Sequence, residues 1–189
     1  MKRRFHLMMA TGLAVALGLN AASLIGQEQR EIFTGMVVNL GAGPTTGQLQ
    51  ITITKWTTAE QRLAFATELF EKGQPALLAS FEKAEQLGTA SFPGTLGWPI
   101  VYAWQMEDGG NRIIRLATHR PVGFGEARAQ TRSMDYPFGL IEMRLGPDGR
   151  GEGNIFSAAS LKFNKDNVLE IESYGISGQQ FLSIRTEKK

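Results

Sequence analysis

Along most of the chain, apolar and polar residues alternate one by one. In "GQLQITITKW", Leu49, Ile51 and Ile53 alternate with Gln50, Thr52 and Thr54, the period-2 pattern of a strand with one wet face. "EIFTGMVVNL" predicts a strand just before it. From about residue 89 onward the pattern is strand and turn throughout. "IVYAWQME" and "NRIIRLATH" flank "DGG", a hairpin signal because both central positions tolerate positive φ. In "GLIEMRL", Ile141, Met143 and Leu145 face one way while Glu142 and Arg144 face the other. "GPDGRGEG" turns the chain into "NIFSAASLKF", and "NKDN" turns it into "VLEIES", where Leu169 and Ile171 alternate with Glu170 and Glu172. "YGISG" leads to a last strand, "QQFLSIRT".

One stretch has a different period. Thr57 and Glu60 match a capping box, and Leu63, Ala66, Leu69 and Phe70 then recur at helical spacing. Gly73 ends that helix, and Pro75 suits the first turn of the next. Leu77, Leu78, Phe81 and Ala84 line the second helix, up to Gly88. The pattern predicts two short amphipathic helices joined by "KGQP", laid as a hairpin against the sheet.

Eight or nine antiparallel strands with one inserted two-helix hairpin make an α+β fold. So many meandering strands curl into a barrel or split into a sandwich, because open edges invite aggregation. The expectation is a barrel-like sheet, plugged or flanked by the helices. With 189 residues, the chain suits one domain.

The N-terminus reads as a secretory signal. Lys2, Arg3 and Arg4 precede the apolar or small run "LMMATGLAVALGL", and "NAAS" supplies small residues for cleavage near Ser23. The run is shorter than the roughly 20 residues a spanning helix needs, although an uncleaved anchor is the alternative. The domains are therefore residues 1–23, a signal peptide, and residues 24–189, a single α+β domain. The formal charge of +2 changes with this reading: losing residues 1–23 leaves 17 basic against 18 acidic residues, a net charge of −1. That removes the basic excess a nucleic-acid partner would require, and no stable membrane span is expected after cleavage. The expected location is the periplasm or the exterior. There are no cysteines, which excludes disulfides, thiolate nucleophiles and cysteine-ligated metals.

Few motifs carry chemistry. "GAGPTTG" (41–47) lacks the Lys and the following helix of a phosphate loop, so it reads as a turn. "GPDGRGEGN" holds Asp148, Glu152 and Asn154 but lacks the carboxylate spacing of a calcium loop. No cofactor or metal site emerges. The aromatic cluster of Trp98, Tyr102 and Trp104 places the last two on one strand face with Ile100. They fill the core if the barrel is solid and line a ligand cavity if it is hollow.

The segment from 119 to 137 is the strongest candidate site, because unpatterned connections of about fifteen residues tend to be functional. His119 and Arg120 begin it; Arg128, Arg132, Asp135 and Tyr136 follow, with Phe124 as a further apolar anchor. Arginines beside aromatics suit a carboxylate, phosphate or sugar-like ligand. The alternative is a loop tied down by its own Arg–Asp pairs. His119 with Asp135 or Glu142, and Ser133 as nucleophile, would be needed for catalysis. No nucleophile elbow and no second histidine of the mature chain supports that.

The stretches "GQLQITITKWTTAEQR", "GTLGWPIVYAW" and "RSMDYPFGLIEMRLGPDGRGEG" resemble a family of small exported bacterial proteins known only as uncharacterised. The likeness runs from about Gly35 to the end. It implies export and a single domain, and supplies no activity, cofactor or catalytic residue. The expected function is noncatalytic binding of an apolar molecule with an acidic head group. Trp98, Tyr102, Trp104, His119, Arg120, Arg128, Arg132, Asp135 and Tyr136 form the candidate site. The alternatives are an envelope protein partner or, further off, an enzyme of hydrolase type.

Overall fold

A computed structural model describes residues 30–39, 45–122, 135–165, 169–173 and 179–188. In chain order the elements are β1 (Glu31–Asn39), β2 (Thr45–Ile53), α1 (Ala59–Lys72), α2 (Gln74–Lys83), β3 (Gly88–Ser91), β4 (Trp98–Asp108), β5 (Asn111–Thr118), β6 (Phe138–Leu145), β7 (Arg150–Phe163), β8 (Leu169–Ser173) and β9 (Gln179–Lys188). The signal segment, "GAGP" and residues 123–134, which include Phe124, Arg128, Arg132 and Ser133, lie outside the described residues.

The strands run in the order β6-β5-β4-β3-β2-β1-β9-β7-β8, and β7 also pairs with β6. That second pairing closes an eight-stranded antiparallel barrel, with β8 outside the ring. β7 makes both arrangements possible by its length. Its first half lies between β6 and β9, Ala159 pairs with both β6 and β8, and residues 160–163 leave the ring to carry β8. The "DGG" hairpin forms as its residues dictate, with φ of 57° and 79° at Gly109 and Gly110. Gly151 permits the close β6–β7 approach: a Cβ there would stand 1.9 Å from the Arg144 carbonyl oxygen. On β9, Ser183 is the extra residue of a bulge against both neighbours, and its φ of 53° is left-handed.

The barrel is solid. Each strand of the ring sends alternate side chains inward, and Phe33, Ile51, Ile100, Ile114, Met143 and Phe181 are fully buried. Eight strands leave an interior just wide enough for side chains to fill, and these large side chains fill it. The hollow-barrel alternative is thereby excluded. Glu31 and Arg112 lie on strands that are not neighbours, and their ion pair is 2.7 Å long. The Arg112 guanidinium also lies 5.3 Å from the Trp56 ring and 5.8 Å from the Phe33 ring.

A second apolar seam lies outside the barrel. Leu69 of α1 and Leu77, Leu78 and Phe81 of α2 pack on Val101, Ala117, Phe138 and Leu161. The helices therefore flank the barrel and do not plug it. Three expectations about them shift. The N-cap is Thr58, with Gln61 completing the box, because the Thr57 hydroxyl is committed elsewhere: it accepts from the Ala103 backbone N–H at 2.8 Å. The inward stripe of α1 centres on Phe65 and Leu69, fixed by the Phe65 ring meeting Phe81 edge-on at 5.0 Å. Leu63 and Phe70 are exposed instead. Finally, α2 stops at Lys83, and Gly88 begins β3, where it pairs with both Ile53 and Ile100.

Candidate functional site

The barrel wall separates the aromatic residues that the sequence groups together. Trp98 points inward and meets Phe92 edge-on at 5.7 Å. Ile100 also points inward. Then the register slips: Ile100 pairs with Thr118 but Tyr102 pairs with Ala117, so Val101 is an extra residue. The bulge turns Tyr102 and Trp104 to the outer face. The expected grouping of Ile100 with them is corrected by that one residue.

Outside, Tyr102 and Trp104 help line an open groove of about 240 Å³ between the helical hairpin, the outer face of β4–β7 and β8. Strand register orders its floor into two transverse rows. One row is Trp104, Arg115, Glu142 and Asn154, each paired with the next across β4, β5, β6 and β7. The adjacent row, two residues along each of the four strands, is Tyr102, Ala117, Leu140 and Phe156. Polarity thus changes along the strands over one row spacing, roughly 7 Å. Phe65 and Leu69 of α1 and Leu169 and Ile171 of β8 add apolar surface.

The charged row is organised around Trp104. Arg62, reaching from α1, places its guanidinium carbon 5.0 Å from the indole centroid, and that of Arg115 lies at 5.8 Å. Arg115 donates from Nε to Glu142 at 2.6 Å. Among the described residues Arg62 has no carboxylate partner, so the row carries one more cation than anion. Burial pushes the Tyr102 phenol above its ordinary value, against the lowering fields of Arg62 and Arg115. The polar side-chain groups lining the groove are guanidinium, carboxylate, phenol and the indole N–H of Trp104. Their chemistry is recognition of a charge beside apolar surface. Among the described residues no group of three or more acidic or histidine side chains could hold a metal.

Of the remaining expected residues, Arg128 and Arg132 lie outside the described residues, and His119, Arg120, Asp135 and Tyr136 do not line the groove. Arg120 donates from Nη2 to the Gly97 carbonyl at 2.7 Å, beyond the end of β5, where His119 also stands. The Asp135 carbonyl accepts from Gln74, whose amide oxygen in turn receives the Leu161 N–H. This pins the helical hairpin to the barrel. Tyr136 lies near Lys162. The structure thus brings together Tyr102 and Trp104 of the expected set, and adds Arg62, Arg115 and Glu142. Sequence alternation marks Arg115 and Glu142 as outward-facing, but their alignment with Trp104 is set by cross-strand register.

No family model, no curated protein and no solved structure matches this chain. Function must therefore be read from the site.

Proposed function

We propose that this is an exported, noncatalytic binding protein whose ligand is an apolar molecule with an acidic head group. The observation that carries the reading is the outer groove, whose apolar floor ends at Trp104 with two arginines around it, Arg115 of the strand row and Arg62 of α1. Apolar concavities with a few convergent polar groups are the common form of small-molecule sites. Export is supported by the basic start and short apolar run of residues 2–19. The test is mass spectrometry of small molecules retained by the protein from its native compartment, repeated with Ala66→Trp, which fills the groove from α1. Loss of the retained molecule in that variant is expected. Equal retention would remove the groove from the reading.

A second reading, binding of an envelope protein, draws on the exposed apolar side chains of Leu63, Phe70, Leu169 and Ile171. Exposed apolar patches mark interaction surfaces. Crosslinking from these positions to a single partner, with no retained small molecule, would favour it.

A further inference from the structure

We propose that the acidic head is a single carboxylate, so that the groove selects fatty-acid-like or aryl monocarboxylates over phosphates, zwitterions and neutral amphiphiles. The inference rests on the groove being a ligand site and deepens that reading.

The charge count is the first ground. Arg62 and Arg115 face one carboxylate, Glu142, which accepts from the Nε of Arg115. That carboxylate balances Arg115, and the Arg62 guanidinium makes no ion pair among the described residues. One anion neutralises that surplus, and a guanidinium's donors match a carboxylate's two oxygens. A doubly charged phosphate would overshoot neutrality beside Glu142, and a quaternary ammonium would meet two cations.

Direction is the second ground. The strands run from the charged row to the row of Tyr102, Leu140 and Phe156, so a head held at Trp104 sends its apolar body along the floor. Under the helices, Phe65, Leu69 and Phe81 continue that surface. Size is the third. At about 240 Å³ the groove is below the roughly 300–1,000 Å³ of pockets that engulf drug-sized ligands. A medium-length chain fits, partly exposed at the rim near Leu169 and Ile171.

The test is titration of the purified protein with decanoate, decan-1-ol, decyl phosphate and decyltrimethylammonium, read by calorimetry and by Trp104 fluorescence against a Trp104→Phe control. Decanoate should bind about tenfold or more tighter than decan-1-ol, the scale of a charge-assisted hydrogen bond. Arg62→Gln and Arg115→Gln should each erase most of that difference. Arg144→Gln, which removes an arginine paired with Asp108 on the same strand as Glu142, should leave it intact. Equal binding of decanoate and decan-1-ol would overturn the carboxylate selection while the groove reading stands. Decyl phosphate or decyltrimethylammonium binding as tightly as decanoate would overturn the monoanion assignment. No binding of any probe by protein with native circular dichroism would overturn the groove reading together with this one.

Discussion

Ile100 and Tyr102, two residues apart on one strand, stand on opposite sides of the barrel wall. In a regular strand they would share a face. Val101 is the reason, since it has no place in the β4–β5 ladder and packs outward on the helices. Deleting Val101 would make Ile100 and Tyr102 neighbours, and plain alternation would then still turn Ile100 inward and Tyr102 and Trp104 outward. The deletion is therefore expected to keep cooperative thermal unfolding at a lower temperature, having lost the Val101 contact with the helices, and Val101→Ala should lower it less. Loss of cooperative unfolding on deletion would show that the bulge does more than set the facing.

The raised ionisation of Tyr102 has a definite sign. A phenol held neutral by burial contributes stability that is present below its ordinary value of 10.0 and is lost as pH rises through the raised value. Tyr102→Phe should flatten the alkaline fall in melting temperature. Arg62→Gln should push the ionisation higher still, because it removes a lowering field. Tyrosinate absorbance checks both. A downward move in the Arg62 variant would separate that arginine from Tyr102.

Two adjacent threonines should behave differently. Thr57→Val leaves the buried Ala103 N–H without its acceptor, at a cost of about 1–3 kcal/mol. Thr58→Ala removes an exposed N-cap and should cost about 0.5–2 kcal/mol, typically ~1. Chemical denaturation should rank Thr57→Val as the more damaging. The reverse order would return the cap to Thr57.

The Glu31–Arg112 pair is partly sealed from solvent, unlike the surface pairs. Arg112→Met keeps an apolar stem at that position but strands the Glu31 carboxylate, which should cost about 3–5 kcal/mol, toward the lower end because Arg112 keeps some exposure. Arg144→Met breaks an exposed pair with Asp108 and should cost under about 1 kcal/mol. Equal costs would mean that Glu31 finds water once its partner is gone.

Ser183 occupies a left-handed conformation that favours glycine. Relieving the Cβ clash is worth about 1–2 kcal/mol, offset by glycine's added chain entropy of about 0.5–1 kcal/mol. Ser183→Gly should therefore raise the melting temperature slightly, and Ser183→Val should lower it. A fall with glycine would place the serine side chain in a stabilising role.

The strand pattern was legible in the sequence because a sheet with one buried face needs period-2 alternation. Leu49, Ile51 and Ile53 all turn inward, as do Ile141, Met143 and Leu145. The hairpin at Gly109 and Gly110 and the helix break at Gly73 were legible for the same local reason: few residues tolerate those backbones. Capping at Thr58 and the rotation of α1 were not, since they depend on Ala103 and Phe81, which are distant in sequence. The groove was legible only in part. Tyr102 and Trp104 announced themselves as aromatics, and Arg115 and Glu142 as outward charges. Their meeting with Arg62 required closure of the ring, strand register and one extra residue at Val101. Local alternation assigns a face to each side chain, but only long-range pairing decides which side chains share a row.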